Sequence, residues 1–322
     1  MKAVILHTPG EAKNLKIETR PVPIPNAGEV LIKIKALGLN RSELMTRKGF
    51  SPSVKFPRVL GIECVGEVEK DPSGQYRKGQ KVMAFMGEMG RAYDGSYAEY
   101  TVVPKQITYP FESRLPWEVL GAIPEMFQTV HGSLVMALGI KPKETLLIRG
   151  GTSSIGLLAA QLARNHGLTV IATTRKPDKE QQLIANGASQ VIIDDGVIAT
   201  TLRELYPEGI DKALELVGTQ TLKDSLNCLK PGGTACMTGM LSENWSIKDF
   251  SPMEFIPATV RLTVYDSGQV RSPASVFQGF IEDLEAGRIK IKIAKVFALD
   301  KIVEAHKLME SNQANGKIVV VP

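Results

Sequence analysis

Between Thr145 and Thr238 the chain alternates short β-rich runs with helical stretches, and this alternation constrains the fold more than any other feature. Strands are expected at Thr145–Arg149, Thr169–Thr173, Gln190–Ile193, Lys212–Leu216 and Thr234–Thr238. Helices are expected between them at Ile155–Asn165, Lys179–Asn186, Ala199–Leu205 and Leu222–Leu229. Strands joined by helical crossovers lie parallel, with helices covering both faces of the sheet. The class is therefore α/β with a doubly wound parallel sheet.

The flanks read differently. Ahead of the alternation, β-rich runs at Ala3–His7, Glu29–Ala36, Cys64–Glu69, Lys81–Phe85 and Tyr97–Val103 are separated by turns such as Asn26-Ala27-Gly28 and Asp71-Pro72-Ser73-Gly74. Short strands with frequent turn signals indicate a mostly-β unit. Glu118–Leu138 reads as a helical stretch interrupted by Pro124. Behind the alternation, helices are expected at Phe277–Ala286 and Lys301–Ser311, with strands at Ala294–Phe297 and Lys317–Val321. A length of 322 residues suits two domains at about 100–200 residues each. The expected division is residues 1–122 with 267–322, and residues 123–266.

Composition removes several classes of function. Hydrophobic residues at 43% and charged residues at 23% argue against long disorder. A net charge of +5 over this length announces neither a nucleic-acid nor a membrane partner. No apolar run approaches the roughly 20 residues that span a bilayer, and the apolar stretch Ala3–Leu6 is too short for a signal peptide. Cys64, Cys228 and Cys236 are odd in number and far apart, which fits a reducing, cytoplasmic compartment better than a disulfide framework.

The expected strand Thr145–Arg149 runs into Gly150-Gly151-Thr152-Ser153-Ser154-Ile155-Gly156 and then a helix. Against the pattern G-x-G-x-x-G, the chain supplies Gly151, Ser153 and Gly156. Gly151 is expected to allow the tight turn and Gly156 the close packing of helix on strand. The N–H groups around Ser154 and Ile155 would face a pyrophosphate. Ser153 replaces the middle glycine; its hydroxyl is a candidate phosphate donor, or the run is a helix cap. At the end of the next strand an NAD-specific site places Asp or Glu on the ribose. Here Thr174 stands instead, followed by Arg175, Lys176 and Lys179. Cations at this place suit a 2′-phosphate and hence NADPH, although a short basic run also suits a solvated turn.

The order of parts resembles the medium-chain dehydrogenase/reductase superfamily, and within it the zinc-independent quinone oxidoreductase and enone reductase branch. The resemblance spans nearly the whole chain. It is carried by Gly28-Glu29-Val30-Leu31-Ile32-Lys33, Leu60-Gly61-Ile62-Glu63-Cys64-Val65-Gly66, Gly79-Gln80-Lys81-Val82, Gly95-Ser96-Tyr97-Ala98-Glu99-Tyr100, Leu229-Lys230-Pro231-Gly232-Gly233 and Gly316-Lys317-Ile318-Val319-Val320. It implies a GroES-like catalytic domain and a Rossmann cofactor domain, with nicotinamide meeting substrate in a cleft between them. It also implies homodimers joined through the cofactor-domain sheets, with Pro257–Tyr265 as the candidate edge.

The resemblance further implies site residues. Asn40 matches an asparagine that faces the nicotinamide and can donate to a quinone or enone oxygen, though it also reads as a turn residue bonded to nearby backbone. Thr129, Val217, Gly239, Met240 and Leu241 match positions beside the cofactor. Tyr265 is a candidate donor or acid, or else a core tyrosine. Arg175 and Lys179 match the 2′-phosphate contacts. Asp194 replaces a tyrosine of that pocket, and it would repel the phosphate if it pointed inward; facing solvent, it would not. Zinc alcohol dehydrogenases of the superfamily keep Cys and His where this chain has Asn40 and Ile62, and neither of these serves as a zinc ligand. His7, His131, His166 and His306 are scattered and read as surface or packing residues.

The resulting expectation is an NADPH-dependent reductase without zinc that passes hydride to a small quinone or α,β-unsaturated carbonyl. The alternatives are a zinc-type alcohol dehydrogenase with displaced ligands and a non-catalytic NADPH-binding sensor or structural protein.

Overall fold

A six-stranded sheet, all parallel, forms from the alternating segment. Its strands run in the order Gln190–Ile193, Thr169–Thr174, Thr145–Arg149, Ile210–Glu215, Leu229–Met237 and Arg261–Val264. The order reverses beside Thr145–Arg149, which places the glycine-rich turn at the switch point where such sheets bind ligands. Val170, Ile171, Leu146, Leu147 and Ile148 are fully buried, as expected of strands covered on both faces. Within the stretch expected as the sheet edge, Arg261–Val264 is the strand that closes one end of the sheet, and Val264 is exposed.

The computed structural model describes residues 1–322, which form two compact units: Met1–Met126 with Pro273–Pro322, and Phe127–Ser272. The divisions fall at Met126 and Ser272, close to the expected 122 and 266, and hydrogen bonds tie the boundary residues to their units. The Glu125 N–H donates to Glu63 Oε2 (2.7 Å), which keeps residue 125 in the first unit. Gln128 Nε2 donates to the Val270 carbonyl (2.9 Å) and the Ser272 N–H to Gln128 Oε1 (3.0 Å), which keeps residues 267–272 in the second.

In the first unit, Glu29–Gly38 pairs antiparallel with Glu63–Lys70, Tyr100–Pro104 and Lys317–Val321. The core beneath it gathers Leu6, Ile32, Leu37, Leu44 and Val82 with Ile302, Ile318 and Val320 from the end of the chain. The unit is therefore closed by residues some 280 positions apart. The interrupted helical stretch resolves into Trp117–Leu120, Pro124–His131 and a π-helical turn Gly132–Ala137; Pro124 opens a helix, where its missing N–H costs nothing. The helix Arg41–Lys48 and the strand Leu15–Thr19 were not expected. Asn40-Arg41-Ser42-Glu43 has the N-x-x-E spacing that marks a helix start, and the Glu43 carboxylate accepts the Asn40 backbone N–H (3.1 Å). No helix is long and apolar enough to cross a membrane.

One buried cation organises the second unit. Arg149, fully buried at the end of its strand, donates from Nε and Nη2 to both oxygens of Asp194 (2.8 Å each) and from Nη1 to Asp224. Asp224 in turn accepts the N–H groups of Ile198 and Ala199 at the head of the helix Ala199–Leu205. Removing one partner of a buried ion pair costs about 3–5 kcal/mol, because the remaining charges lose their compensation. Arg149→Met should therefore lower the denaturation midpoint of the second unit severely. The double variant Arg149→Met/Asp194→Asn should recover part of the loss. Equal stability of Arg149→Met and wild type by denaturant titration would contradict this assignment.

Candidate active site

In the second unit the candidate site is built on the turn after Thr145–Arg149. The left-handed residue is Gly150 (φ 88°), not Gly151, so the tight turn comes one position earlier than expected. Gly151 and Gly156 serve close approach instead. A Cβ on Gly156 would lie 2.7 Å from the Gly150 carbonyl oxygen, and one on Gly151 would press on Ala172 and Thr173. Ser153 is the helix cap: its Oγ accepts the Gly156 N–H (3.0 Å) and donates to the Gly150 carbonyl (2.9 Å). Its proton is thus committed to the loop, which corrects the expectation of a phosphate donor. Ser154 and Ile155 occupy the first turn of the helix Ser154–Asn165, where backbone N–H groups have no intrahelical acceptor and favour an anion.

At the end of the neighbouring strand, Thr174 closes Thr169–Thr174 and its Oγ1 accepts the Lys176 N–H (3.1 Å). Arg175 is exposed and makes no ion pair, while Lys179 pairs with its neighbour Asp178 (3.1 Å). Asp194 neither faces solvent nor points at this surface as a bare charge. It is buried, clamped by Arg149 and bonded by the Thr173 hydroxyl (3.1 Å). Burial alone would raise its carboxyl, but the Arg149 guanidinium and these hydrogen bonds hold it below the ordinary aspartate range. Its charge is already compensated, so it is no argument against a phosphate nearby.

Residues distant in sequence meet beside the same turn. A Cβ on Gly150 would touch Leu241 Cδ1 (3.2 Å) and Val217 Cγ2 (3.6 Å). Buried Glu215, which sequence reasoning missed, accepts the N–H groups of Val217 (2.7 Å) and Gly218 (3.0 Å) and so fixes this segment. Gly239 abuts Leu216, and Met240 follows half-buried. Thr129 lies half-buried on the helix Pro124–His131. Tyr265 does not fit the acid expected of it. Its hydroxyl donates to the Val270 carbonyl (2.8 Å) and accepts from Gln128 Nε2 (2.8 Å), so its proton braces the 265–270 turn.

In the first unit, Asn40 belongs to a polar cluster. Asn40 Nδ2 donates to Glu63 Oε1 (2.8 Å), and Lys317 Nζ donates both to Asn40 Oδ1 (2.6 Å) and to Glu63 Oε1 (2.8 Å). Glu43 sits beside them, accepting the Ile62 N–H (3.3 Å). Glu43, Glu63 and Lys317 are all buried; Asn40 is partly exposed. Gly38 makes the room, since a Cβ there would lie 2.4 Å from Glu63 Oε1 and 2.5 Å from Lys317 Cε. Lys317 and Glu43 were not singled out from the sequence as site residues. Their signals were a lysine opening the apolar run Lys317–Val321 and the N-x-x-E spacing at Asn40.

Residues 26–113 match the alcohol dehydrogenase GroES-like domain and residues 154–285 the zinc-binding dehydrogenase family. The chain is 26% identical over 332 residues to the quinone oxidoreductase of Homo sapiens, covering all of this chain and 98% of that one. It is 24% identical over 351 residues to the acryloyl-coenzyme A reductase of Sulfurisphaera tokodaii, covering both in full. The solved structure of mycobacterial Rv1454c complexed with NADPH covers both chains in full with a TM-score of 0.88 at 25% identity. The chain belongs to the medium-chain dehydrogenase/reductase superfamily. Within it, the chain is quinone oxidoreductase-like.

Zinc, which one of the matching families carries in its description, does not fit the residues of this superfamily member. No three His, Cys, Asp or Glu side chains converge in a metal-holding group. Asn40 and Ile62 offer neither thiolate nor imidazole, and Glu63 is bonded to the ammonium of Lys317. Adjacent Cys64 is buried, and desolvation pushes its thiol up, away from the thiolate a metal needs. His306 is occupied by the Tyr97 hydroxyl (2.9 Å).

The cluster carries one titration near neutrality. Burial, then the charge of Glu63, push the Glu43 carboxyl from 4.5 up to about 7, against the pull of Lys317 and backbone donors. The folded state therefore binds a proton that the unfolded chain has released. The contribution of this group to stability is fullest below about pH 4.5, falls as pH rises, and levels off above about pH 7. Glu43→Gln removes this titration. Its stability relative to wild type should climb across that window by at most about 3 kcal/mol. A pH-independent difference between the two, measured by urea denaturation, would exclude the shift.

Proposed function

We propose that this protein is an NADPH-dependent, zinc-independent reductase acting on a quinone or an α,β-unsaturated carbonyl. The cofactor preference rests on one observation: Arg175 is exposed without an ionic partner, whereas Asp194, the carboxylate that would oppose a 2′-phosphate, is neutralised by Arg149. A guanidinium offers forked donors to a phosphate, and Lys179 adds a point charge. The dinucleotide pyrophosphate is assigned to the N–H groups of Ser154 and Ile155, with Gly151, Ser153 and Gly156 shaping the turn. Thr174 ends the strand at the ribose, and Val217, Gly239, Met240 and Leu241, with Thr129, flank the nicotinamide end. NADPH supplies the hydride when bound.

The chain's own residues orient the acceptor and steady the charge that forms on its oxygen. Asn40 is the side chain assigned to that oxygen, as an amide N–H donor. With the Tyr265 proton engaged by Val270, the balancing proton is assigned to solvent. The human quinone oxidoreductase and the acryloyl-coenzyme A reductase support a conjugated, electron-poor acceptor. The unpaired outer edge of Arg261–Val264, with Val264 exposed, supports a homodimer through Pro257–Tyr265. The domain reading remains residues 1–122 with 267–322 as catalytic domain and 123–266 as cofactor domain, adjusted to the contact boundaries at Met126 and Ser272.

Chelator-treated protein should consume NADPH with members of a panel of simple quinones and enones. Activity that disappears with the chelator and returns with stoichiometric zinc would favour an alcohol dehydrogenase, and tight NADPH binding with no turnover would favour a sensor. Arg175→Ala/Lys179→Ala should raise the KM for NADPH about 10- to 100-fold while that for NADH changes little. Equal changes for both cofactors would refute the 2′-phosphate assignment.

A further inference from the structure

The amide of Asn40 can point in only one way. Lys317 Nζ has donors and no acceptor, so the atom 2.6 Å from it must be Oδ1. Glu63 Oε1 accepts, so the atom 2.8 Å from it must be Nδ2. Exchanging oxygen and nitrogen would set donor against donor and acceptor against acceptor. The two clamping groups are themselves buried and held. They bond to each other at 2.8 Å, their side chains are 3% and 0% exposed, and Glu63 Oε2 is held by the Glu125 N–H.

An amide nitrogen carries two hydrogens. One is taken by Glu63. The second has only long contacts, to the Gly38 carbonyl at 3.5 Å and Glu43 Oε1 at 3.4 Å, at the limit where such bonds contribute little. Asn40 is also the partly exposed member of an otherwise buried group. We propose that Lys317 and Glu63 are positioning residues: a buried ammonium–carboxylate clip that locks the Asn40 amide with its second N–H presented to the acceptor's carbonyl oxygen. The ammonium on Oδ1 also polarises the amide and strengthens that N–H as a donor.

The inference rests on the reductase reading for its chemistry. When hydride adds to the conjugated carbon, its two electrons displace the π system and negative charge collects on the carbonyl oxygen. NADPH is oxidised to NADP⁺, the acceptor is reduced, and a solvent proton completes the product. A donor aimed at that oxygen lowers the barrier because the charge is greater in the transition state than in the ground state.

Lys317→Met alone strands Glu63 in the core, so the neutral pair Lys317→Met/Glu63→Gln is the informative variant. It removes both charges but frees the amide to turn. With the quinone or enone that wild type reduces best, kcat should fall about 10- to 100-fold while the KM for NADPH stays within about twofold. Asn40→Ala should lose as much, and adding it to the double variant should cost little more. Wild-type kcat in the double variant, or additive losses in the triple, would overturn the clip.

Side-chain amide NMR on ¹⁵N-asparagine protein provides a readout independent of activity. Asn40→Ala identifies the Asn40 signal. In wild type its two protons should be split beyond the ordinary separation of a solvated amide, one exchanging slowly with solvent, and in the double variant both the splitting and the exchange should revert to those of an ordinary solvated amide. A wild-type signal of an ordinary solvated amide, unchanged in the double variant, would also overturn the clip. A locked amide in a protein that turns over no acceptor would instead defeat the reductase reading and leave the clip intact.

Discussion

The first unit depends on a charge pair that water never reaches. Lys317 lies on the last strand and Glu63 on a strand near the beginning, 254 residues apart, and their contact joins the two ends of an interrupted unit. Such a pair adds little net stability, because dehydrating both ions offsets most of their attraction. Its importance lies in what happens without it, since either ion alone in that core is intolerable. Gly38 leaves the space, the Glu125 N–H occupies the other carboxylate oxygen, and Asn40 bridges both charges. The sheet, the helix start and the candidate substrate donor thus share one electrostatic centre.

The second unit repeats the device of a buried cation held by carboxylate. There a single buried guanidinium, Arg149, serves carboxylates on two neighbouring segments, and it does so at the base of the turn assigned to the dinucleotide. The Gly150 N–H bonds to the Thr173 hydroxyl, and that hydroxyl bonds to Asp194. The glycine turn is therefore tied into the ion-pair network through a threonine, which gives its backbone N–H groups a rigid base. Preorganised donors cost no reorganisation when an anion arrives.

What the sequence made legible was local. The runs Thr145–Arg149, Gln190–Ile193 and Lys317–Val321 are β-branched and bounded by turns, and the glycines around residue 151 mark a loop before a helix. These signals need no knowledge of partners. The failures share the opposite property. Asp194 reads as a loose negative charge because its partner lies 45 residues upstream, and Tyr265 reads equally as an acid or a core tyrosine because Gln128, which decides for the core, lies 137 residues upstream. Of the two roles open to Ser153, phosphate donor or helix cap, its hydroxyl takes the cap. The helix after Asn40 was legible from its N-x-x-E spacing but is short and polar, so no apolar periodicity drew attention to it.

The discontinuous first unit also fixes an order of events during synthesis. Residues 127–272 are continuous and leave the ribosome as a set, so their sheet can close while the chain is still growing. The first unit must wait. Until Lys317 emerges, Glu63 has no counter-ion and Leu37 and Gly38 lack the strand that pairs with them. A core that closed early would trap an uncompensated carboxylate. The buried pair therefore acts as a completeness check: a chain truncated before its last strand cannot seal the unit that carries Asn40.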